Sequence, residues 1–318
     1  MMNFLKKHMP WLRDYYHRFL IRKHKRLYKK NKGNLRNYFE KKYFKVFNSE
    51  LNIDNPKKLT EYIYQKMYNE PNELECLLTD KIKAKEYLKE KGFQEYIVKT
   101  LKVFNSCDEI SFEGLPDKFV IKSNNDSGSV FIVDQTNDEI IDKNHHKISY
   151  KRMIKHLKSC FKNEFWLLNF EKQYKSITPL IFAEEFLDSG DLDENFIIDY
   201  KYFCHNGRPL FADIIFSREG GIDHDFYVDT NFSQIFANPN EKVSSSVIES
   251  CRPSNLKEML EFIESISKDI EFVRIDLYCS KKFGIKFGEF TFSPAGGNGE
   301  REYPVKEHDF AAGKMLGL

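Results

Sequence analysis

The stretch FVRIDLYCSKKFGIKFGEFTF, residues 272–292, sets charged groups among aromatic ones. Arg274, Asp276, Glu289 and Thr291 alternate with Ile275, Leu277, Phe290 and Phe292. Side chains on a strand point to opposite faces in turn. Two strands joined by an even-numbered turn near Ser280–Phe283 would therefore put Arg274, Asp276, Glu289 and Thr291 on one face. The apolar four would take the core face. Two neighbouring carboxylates resist ionising together unless a cation is close. Mg²⁺ is one such cation, since it takes a few carboxylates and keeps its other positions for water and phosphate oxygens. A salt-bridged cluster neutralised by Arg274 fits the same residues, and the pair by itself slightly favours that second reading.

Two further stretches carry groups that suit a phosphate chain. Lys122 ends the apolar run FVIK and precedes the loop SNNDSGS, residues 123–129. Backbone N–H groups of a small-residue loop can cradle phosphates while an ammonium neutralises them; an ordinary hairpin loop reads the same way. Downstream, FAEEFLDSGD puts Glu184 and Glu185 at the end of an apolar run. Backbone there could meet an adenine edge and Asp191 ribose hydroxyls, although exposed acidic strand ends are common.

These residues need a folded frame, and the composition supplies one. The chain has 318 residues, 41% hydrophobic and 15% aromatic, enough for a large core in two or three lobes. Six cysteines lie at 76, 107, 160, 204, 251 and 279 with no CxxC pair, which points to reduced thiols in a cytoplasm. No apolar run reaches the ~18–20 residues of a membrane span, and no secretory leader is evident. The net charge of +2 conceals an asymmetry. Residues 1–50 hold 15 Lys and Arg against 3 Asp and Glu, a balance of +12, so the other 268 carry −10. Within WLRDYYHRFLIRKHKRLYKK, Trp11, Tyr15, Phe19 and Leu20 recur at near-helical spacing among the bases. Such a helix can lie on an anionic membrane or pack its aromatics on the protein body. Nucleic acid is the weakest option, because no recognised motif accompanies the charge.

The elements follow from periodicity and turn signals. TDKIKAKEYLKEKG reads as a helix capped by Thr79 and closed by Gly92. Residues 96–104 read as a strand, 115–135 as strand, polar loop and strand, 145–170 as helical, and 179–188 as a strand. The segment 196–216 reads as two strands turning at Asn206-Gly207. SNLKEMLEFIESISKDI is a helix with Leu256, Met259, Leu260, Ile263 and Ile266 as one stripe and Ser254 or Asn255 as its cap. Strands over 271–279 and 284–292 follow, giving an α+β pattern with antiparallel hairpins. His145-His146 reads as a surface pair and Trp166 as core. The acidic triplet at 191–193 is a weak hint of a metal-dependent glycosyltransferase.

In this order, Lys122 with its small loop, AEEFLD, DYKYFCHNGRP, FVRIDLY and FGEFTFSPAGG resemble the TupA-like branch of the ATP-grasp superfamily, over roughly residues 55–318. The branch takes its name from an enzyme of teichuronopeptide synthesis. The resemblance implies an α+β ATP-grasp fold in which two lobes with antiparallel sheets clasp ATP, preceded by the basic helical segment. The implied parts are residues 1–50 for that segment, 51–115 for the start of the ATP-grasp region, 116–190 for a small lobe and 191–318 for a large lobe with the metal site. Lys122 would bind ATP phosphates under a loop that includes Ser127, Gly128 and Ser129. Glu184, Glu185, Phe186 and Leu187 would form the adenine hinge, with Asp191 near ribose. Asp276, Glu289 and Thr291 would hold Mg²⁺. Arg274 would stabilise the transferring phosphoryl group, and Lys201, Arg218 and the HDFY segment at 224–227 would contact substrate or phosphate. Two departures stand out. Asn125 and Asp126 replace the His and Gly common in the loop of relatives, and Asp126 adds an anion that must point outward or meet a metal. Thr291 stands where the wider superfamily commonly has Asn, although it matches this branch.

The resemblance further implies an ATP-dependent carboxylate–amine ligase working in the cytoplasm on bacterial cell-surface polysaccharide. An amino acid or peptide would be joined to a carboxylate, such as a uronic acid, on a precursor at the inner face of the membrane. The alternatives are a glycosyltransferase of the same pathway, which would bind a nucleotide sugar, and a non-catalytic scaffold with a decayed ATP site.

Overall fold

The computed structural model describes residues 10–143, 145–162, 164–188, 198–218, 222–237, 244–297 and 306–318. Its helices begin with α1 (Pro10–Lys30), α2 (Arg36–Phe47), α3 (Leu59–Tyr68), α4 (Glu73–Thr79) and α5 (Lys81–Glu90). The strands β1 (Thr100–Phe104), β2 (Lys118–Ser123), β3 (Val130–Asp134) and β4 (Glu139–Asp142) come next, then α6 (Tyr150–Lys162) and β5 (Ile181–Glu185). The remainder is β6 (Ile198–His205), β7 (Arg208–Arg218), β8 (Ile222–Asp229), β9 (Gln234–Ala237), α7 (Ser245–Ser250), α8 (Leu256–Ser267), β10 (Phe272–Ser280), β11 (Gly284–Thr291) and α9 (Lys306–Met315).

The chain forms two compact units. The first takes residues up to Leu35, Asp80–Ile82 and Val98–Leu187; the second takes Arg36–Thr79, Lys83–Ile97 and Asp188–Leu318. The basic N-terminal segment is thus divided at Leu35 between the two units.

In the first unit the sheet order is β1-β5-β2-β3-β4, and every neighbouring pair is antiparallel. Alternation decides its faces. Phe119, Ile121, Phe131, Val133, Ile181 and Ala183 are buried in one cluster with Met153 and Leu157 of α6. Lys122, being of opposite parity on β2, points to the other face. The basic helix α1 packs within this unit. Ile21 is buried, buried His24 bonds the Leu167 carbonyl through Nδ1 at 2.7 Å, and Tyr28 meets Trp166 edge-on at 5.1 Å between ring centroids. Trp166 is core, as its aromatic surroundings in sequence indicate. The packing stripe is Ile21, His24 and Tyr28, whereas Phe19 is 54% exposed. The spacing through Phe19 therefore missed the true stripe, because His24 contributes an apolar ring face that its polarity disguised. The Trp11 and Tyr15 side chains lie outside the described residues.

In the second unit the order is β11-β10-β6-β7-β8-β9, again antiparallel throughout. Asn206 and Gly207, both at positive φ, turn β6 into β7. One sheet face packs on Met259, Phe262, Ile263 and Ile266 of α8. One cap in each unit differs from expectation. The carboxylate of Asp80, not Thr79, accepts the Ile82 N–H at 3.0 Å, while the Thr79 hydroxyl donates to the Glu75 carbonyl at 2.7 Å. Asn255 occupies the N-cap position of α8, but its side chain makes no capping bond and its amide donates to Glu258 at 3.3 Å.

Helix α9 docks on the N-terminus of α3. Buried Asp309 accepts from the Thr60 N–H at 2.9 Å and the Thr60 hydroxyl at 2.5 Å. Burial raises the Asp309 pKa above the ordinary carboxylate range even though both Thr60 bonds oppose the rise. One turn on, a Cβ on Gly313 would lie 2.3 Å from the Lys57 carbonyl oxygen. Gly313→Ala should therefore destabilise the protein despite alanine's helix preference of about 1 kcal/mol. A urea midpoint that falls bears this out, and one that rises contradicts the docking.

Candidate active site

In the second unit the site begins with the pairing of β10 and β11. The connecting turn has three residues, since Ser280 pairs with Gly284. An odd turn alone would put Asp276 and Glu289 on opposite faces, so the even-turn expectation fails. A bulge at Gly288 inserts one residue and restores the parity. Leu277 pairs with Phe287, but Asp276 pairs with Glu289 and Arg274 with Thr291. Only glycine suits the bulge, because a Cβ on Gly288 would come within 2.9 Å of the Asp276 carbonyl oxygen. The opposite face holds Ile275, Leu277, Phe290 and Phe292, all in the core.

On its other side β10 pairs with β6, which sets Lys201 opposite Asp276; β7 then sets Asp213 opposite Lys201. The result is a buried ionic cluster. Arg274 donates from Nε to Asp276 Oδ1 at 2.7 Å and from a terminal nitrogen to Oδ2 at 2.9 Å. Lys201 donates to Asp276 Oδ2 at 2.8 Å and also pairs with Asp199. Thr291 Oγ1 lies 3.4 Å from both Arg274 and the Glu289 carboxylate. Burial alone would raise the Asp276 pKa, but Arg274 and then Lys201 outweigh it and hold it below the ordinary range. Burial would likewise lower the Lys201 pKa, and the two aspartates together lift it above the usual lysine value. Burial raises the Asp199 pKa against the pull of Lys201. Asp199 and Asp213 were not singled out from sequence. The alternation in IDYKYF could have found Asp199, since it shares parity with Lys201.

The donor set suits a hard cation. Among the described residues Asp276 Oδ1 accepts one hydrogen bond, which leaves it a lone pair, and half-buried Glu289 and Thr291 add oxygens beside it. Arg218 closes β7, but its side chain lies outside the described residues, as do the side chain of His224 and the whole of Asp191. Tyr227, the last residue of HDFY, is buried on β8 opposite Asp213.

The first unit holds the other set. Lys122 forms an ion pair with buried Glu184, whose partner on β2 is Val120. Glu185 is exposed and its N–H donates to the Lys99 carbonyl at 3.0 Å. Phe186 and Leu187 are half-buried, and the Lys118 ammonium stands 4.2 Å from the Phe186 ring centroid. In the loop, Asn124 is fully buried. It donates to Asp80 and to the Thr178 carbonyl, both at 3.1 Å, and accepts from the Leu180 N–H at 2.7 Å. Gly128 has φ +108°, a conformation that excludes other side chains without strain. Asp126 points inward: its Oδ2 accepts from Ser129 and from Cys160 of α6, the latter at 3.2 Å. The extra anion of the loop is thus held on the α6 side, the face opposite Lys122.

Two antiparallel sheets with helices, one unit carrying a lysine-led loop and the other a paired-acid strand, define an ATP-grasp protein. The chain belongs to the TupA-like ATPgrasp family, whose pattern matches residues 59–316. Among solved structures it is similar to the D-alanine–D-alanine ligase of Bacillus anthracis complexed with ATP: identity 15%, 76% of this chain, 64% of that one, TM-score 0.40. It is also similar to an L-amino acid ligase of Bacillus licheniformis: identity 15%, 87% of this chain, 60% of that one, TM-score 0.44. A third is the VanG D-Ala:D-Ser ligase of Enterococcus faecalis, at 16% identity over 76% of this chain and 60% of that one, TM-score 0.39. The chain thus spans less than two thirds of the length of each. None of the curated proteins compared with the chain matches it.

Proposed function

We propose that the protein is an ATP-dependent carboxylate–amine ligase. The observation that carries this reading is the pairing of Asp276 with Glu289 beside Arg274 and Lys201, in a chain of an ATP-grasp family. A carboxylate oxygen attacks the γ-phosphorus of ATP and the bond to the β-phosphate oxygen breaks, releasing ADP and leaving an acyl phosphate. An amine nitrogen then attacks the acyl carbon, the C–O bond to phosphate breaks, inorganic phosphate departs and the nitrogen loses a proton. Asp276, Glu289 and Thr291 would hold Mg²⁺, which supplies charge neutralisation on phosphate oxygens. Lys122 binds the phosphates under Ser127, Gly128 and Ser129, and backbone from Glu184 to Leu187 meets the adenine. The Glu185 N–H is already engaged by Lys99, so its neighbours make that contact. Arg274 faces the charge that develops on transfer, and Lys201 keeps Asp276 ionised. Catalysis is positioning and charge stabilisation, with no covalent enzyme intermediate.

The carboxylate that is activated belongs to a cell-surface polymer, such as a uronic acid, and the attacking amine to an amino acid or peptide. Screening ADP release over uronic acids paired with amino acids, with Mg²⁺ present, tests this. ADP formed only when a carboxylate is present supports it; stabilisation by UDP-sugars with no effect of ATP and Mg²⁺ favours a glycosyltransferase.

Among the described residues no helix is long and apolar enough to cross a membrane. Arg18, Arg22, Lys23, Arg26, Lys29 and Lys30 of α1 are exposed, which suits contact with an anionic membrane surface. Deleting residues 1–50 would remove buried Leu35, Phe39 and Tyr43, so a charge change is the cleaner probe. Changing Arg22, Lys23, Arg26, Lys29 and Lys30 to Gln should sharply reduce co-sedimentation with anionic vesicles while leaving the melting temperature close to wild type. Unchanged co-sedimentation rejects the membrane role.

A further inference from the structure

Behind the phosphate loop lies a second cluster, all of it within the first unit. One ligating atom each from Asp126, His156 and Cys160 fall within 4.8 Å of one another. The Ser129 hydroxyl sits among them. It bonds Asp126, lies 2.9 Å from His156 Nε2 and 3.2 Å from Cys160 Sγ. Asp126 is 9% exposed, and its Oδ1 is buried with no hydrogen-bond partner among the described residues. A lone carboxylate oxygen in that position is costly. All four residues line a cavity of about 260 Å³, which His17, Lys143 and Ser159 also border. The cavity gives an approach from outside and room for a water.

The geometry points to a divalent transition-metal site formed by Asp126, His156 and Cys160, with the cavity supplying the fourth position. Carboxylate, imidazole and thiolate together suit Zn²⁺ and its neighbours rather than Mg²⁺. Binding breaks the Cys160 S–H bond, forms a metal–sulfur bond and sends the proton to solvent. The Ser129 hydroxyl then orients the ligands from outside the coordination shell. The site is separate from the Lys122 face. Ser129 shares parity with Phe131 and Val133, which face α6, whereas Lys122 points to the opposite side of the sheet. It also accounts for the departure in the loop, because the acid at 126 becomes a ligand instead of a charge beside phosphate. A bound metal would fix the loop to α6 with or without nucleotide.

Titrating the reduced, metal-free full-length protein with Co²⁺ tests the assignment. One equivalent should produce a sulfur-to-cobalt charge-transfer band that Zn²⁺ removes. Cys160→Ser should abolish the band, while Cys76→Ser and Cys279→Ser, at the two less buried thiols, should leave it intact. His156→Ala, at a half-exposed position, should weaken binding at least about tenfold. No band in excess Co²⁺, or a band undiminished in Cys160→Ser, overturns the site. If Cys160→Ser does not fold, unchanged Co²⁺ affinity in His156→Ala overturns it equally.

Discussion

Asp276→Ala is expected to lower stability by about 3–5 kcal/mol, the usual consequence of removing one partner from a buried ion cluster. The change leaves Arg274 and Lys201 without their shared carboxylate, in a place where Asp276 is 3% and Arg274 8% exposed. A urea titration at neutral pH reads this directly. The loss depends on pH in a definite sense. The folded pKa of Asp276 is depressed, so its contribution is complete above the unfolded value and fades as the pH falls through the folded one. The gap between wild type and variant should therefore be full at neutrality and close below about pH 4. Lys201 acts on the alkaline side. Its folded pKa is raised, so its contribution is complete below the ordinary lysine value and fades as the pH climbs past it. Asp276→Asn preserves the shape but also removes the charge that Arg274 and Lys201 share, so turnover is read on protein that its urea curve shows to be folded: ATP turnover should fall by roughly 10²–10³ or more, as when one preorganised charge contact is lost. Near wild-type turnover in a folded Asp276→Asn would remove Asp276 from the site.

Lys122→Met is the second large effect. The Lys122 side chain is 16% exposed, and its ammonium is paired with a Glu184 side chain that is 5% exposed. Removing it deprives a buried carboxylate of this cation, at about 1–3 kcal/mol. The functional loss should be larger, with turnover down by roughly 10²–10³. Thermal shift separates the two. The variant should melt moderately lower without nucleotide, and ATP with Mg²⁺ should no longer raise its melting temperature. Lys122→Met with Glu184→Gln should recover the stability but not the nucleotide response. Recovery of both would make the ion pair merely structural.

Much of this arrangement can be read from residue order, because strands obey a period of two. Ile275, Leu277, Phe290 and Phe292 had to be core once they alternated with charges, and the Asn206-Gly207 turn had to join β6 to β7. What the order hides is tertiary. The three-residue turn after Ser280 and the bulge at Gly288 each shift parity by one. Only their sum puts Asp276 beside Glu289, and a single glycine in a strand does not announce a bulge. Parity ties Asp199 to its neighbour Lys201, but that both join the Asp276 cluster is hidden, because Lys201 and Asp276 lie 75 residues apart in sequence. The inward turn of Asp126 depends on Ser129 and on Cys160 of α6, which no local pattern signals. His24 reads as polar yet is buried, stacked on Phe170 at 5.0 Å between ring centroids.

The central claim is that this chain uses ATP to activate a carboxylate as an acyl phosphate. The most direct test supplies a turnover-competent uronic or amino acid labelled with ¹⁸O in its carboxylate, together with ATP, Mg²⁺ and an amine. One labelled oxygen should appear in inorganic phosphate, with ADP as the nucleotide product. Label in AMP with release of pyrophosphate, or ADP formed with unlabelled phosphate, would contradict the account.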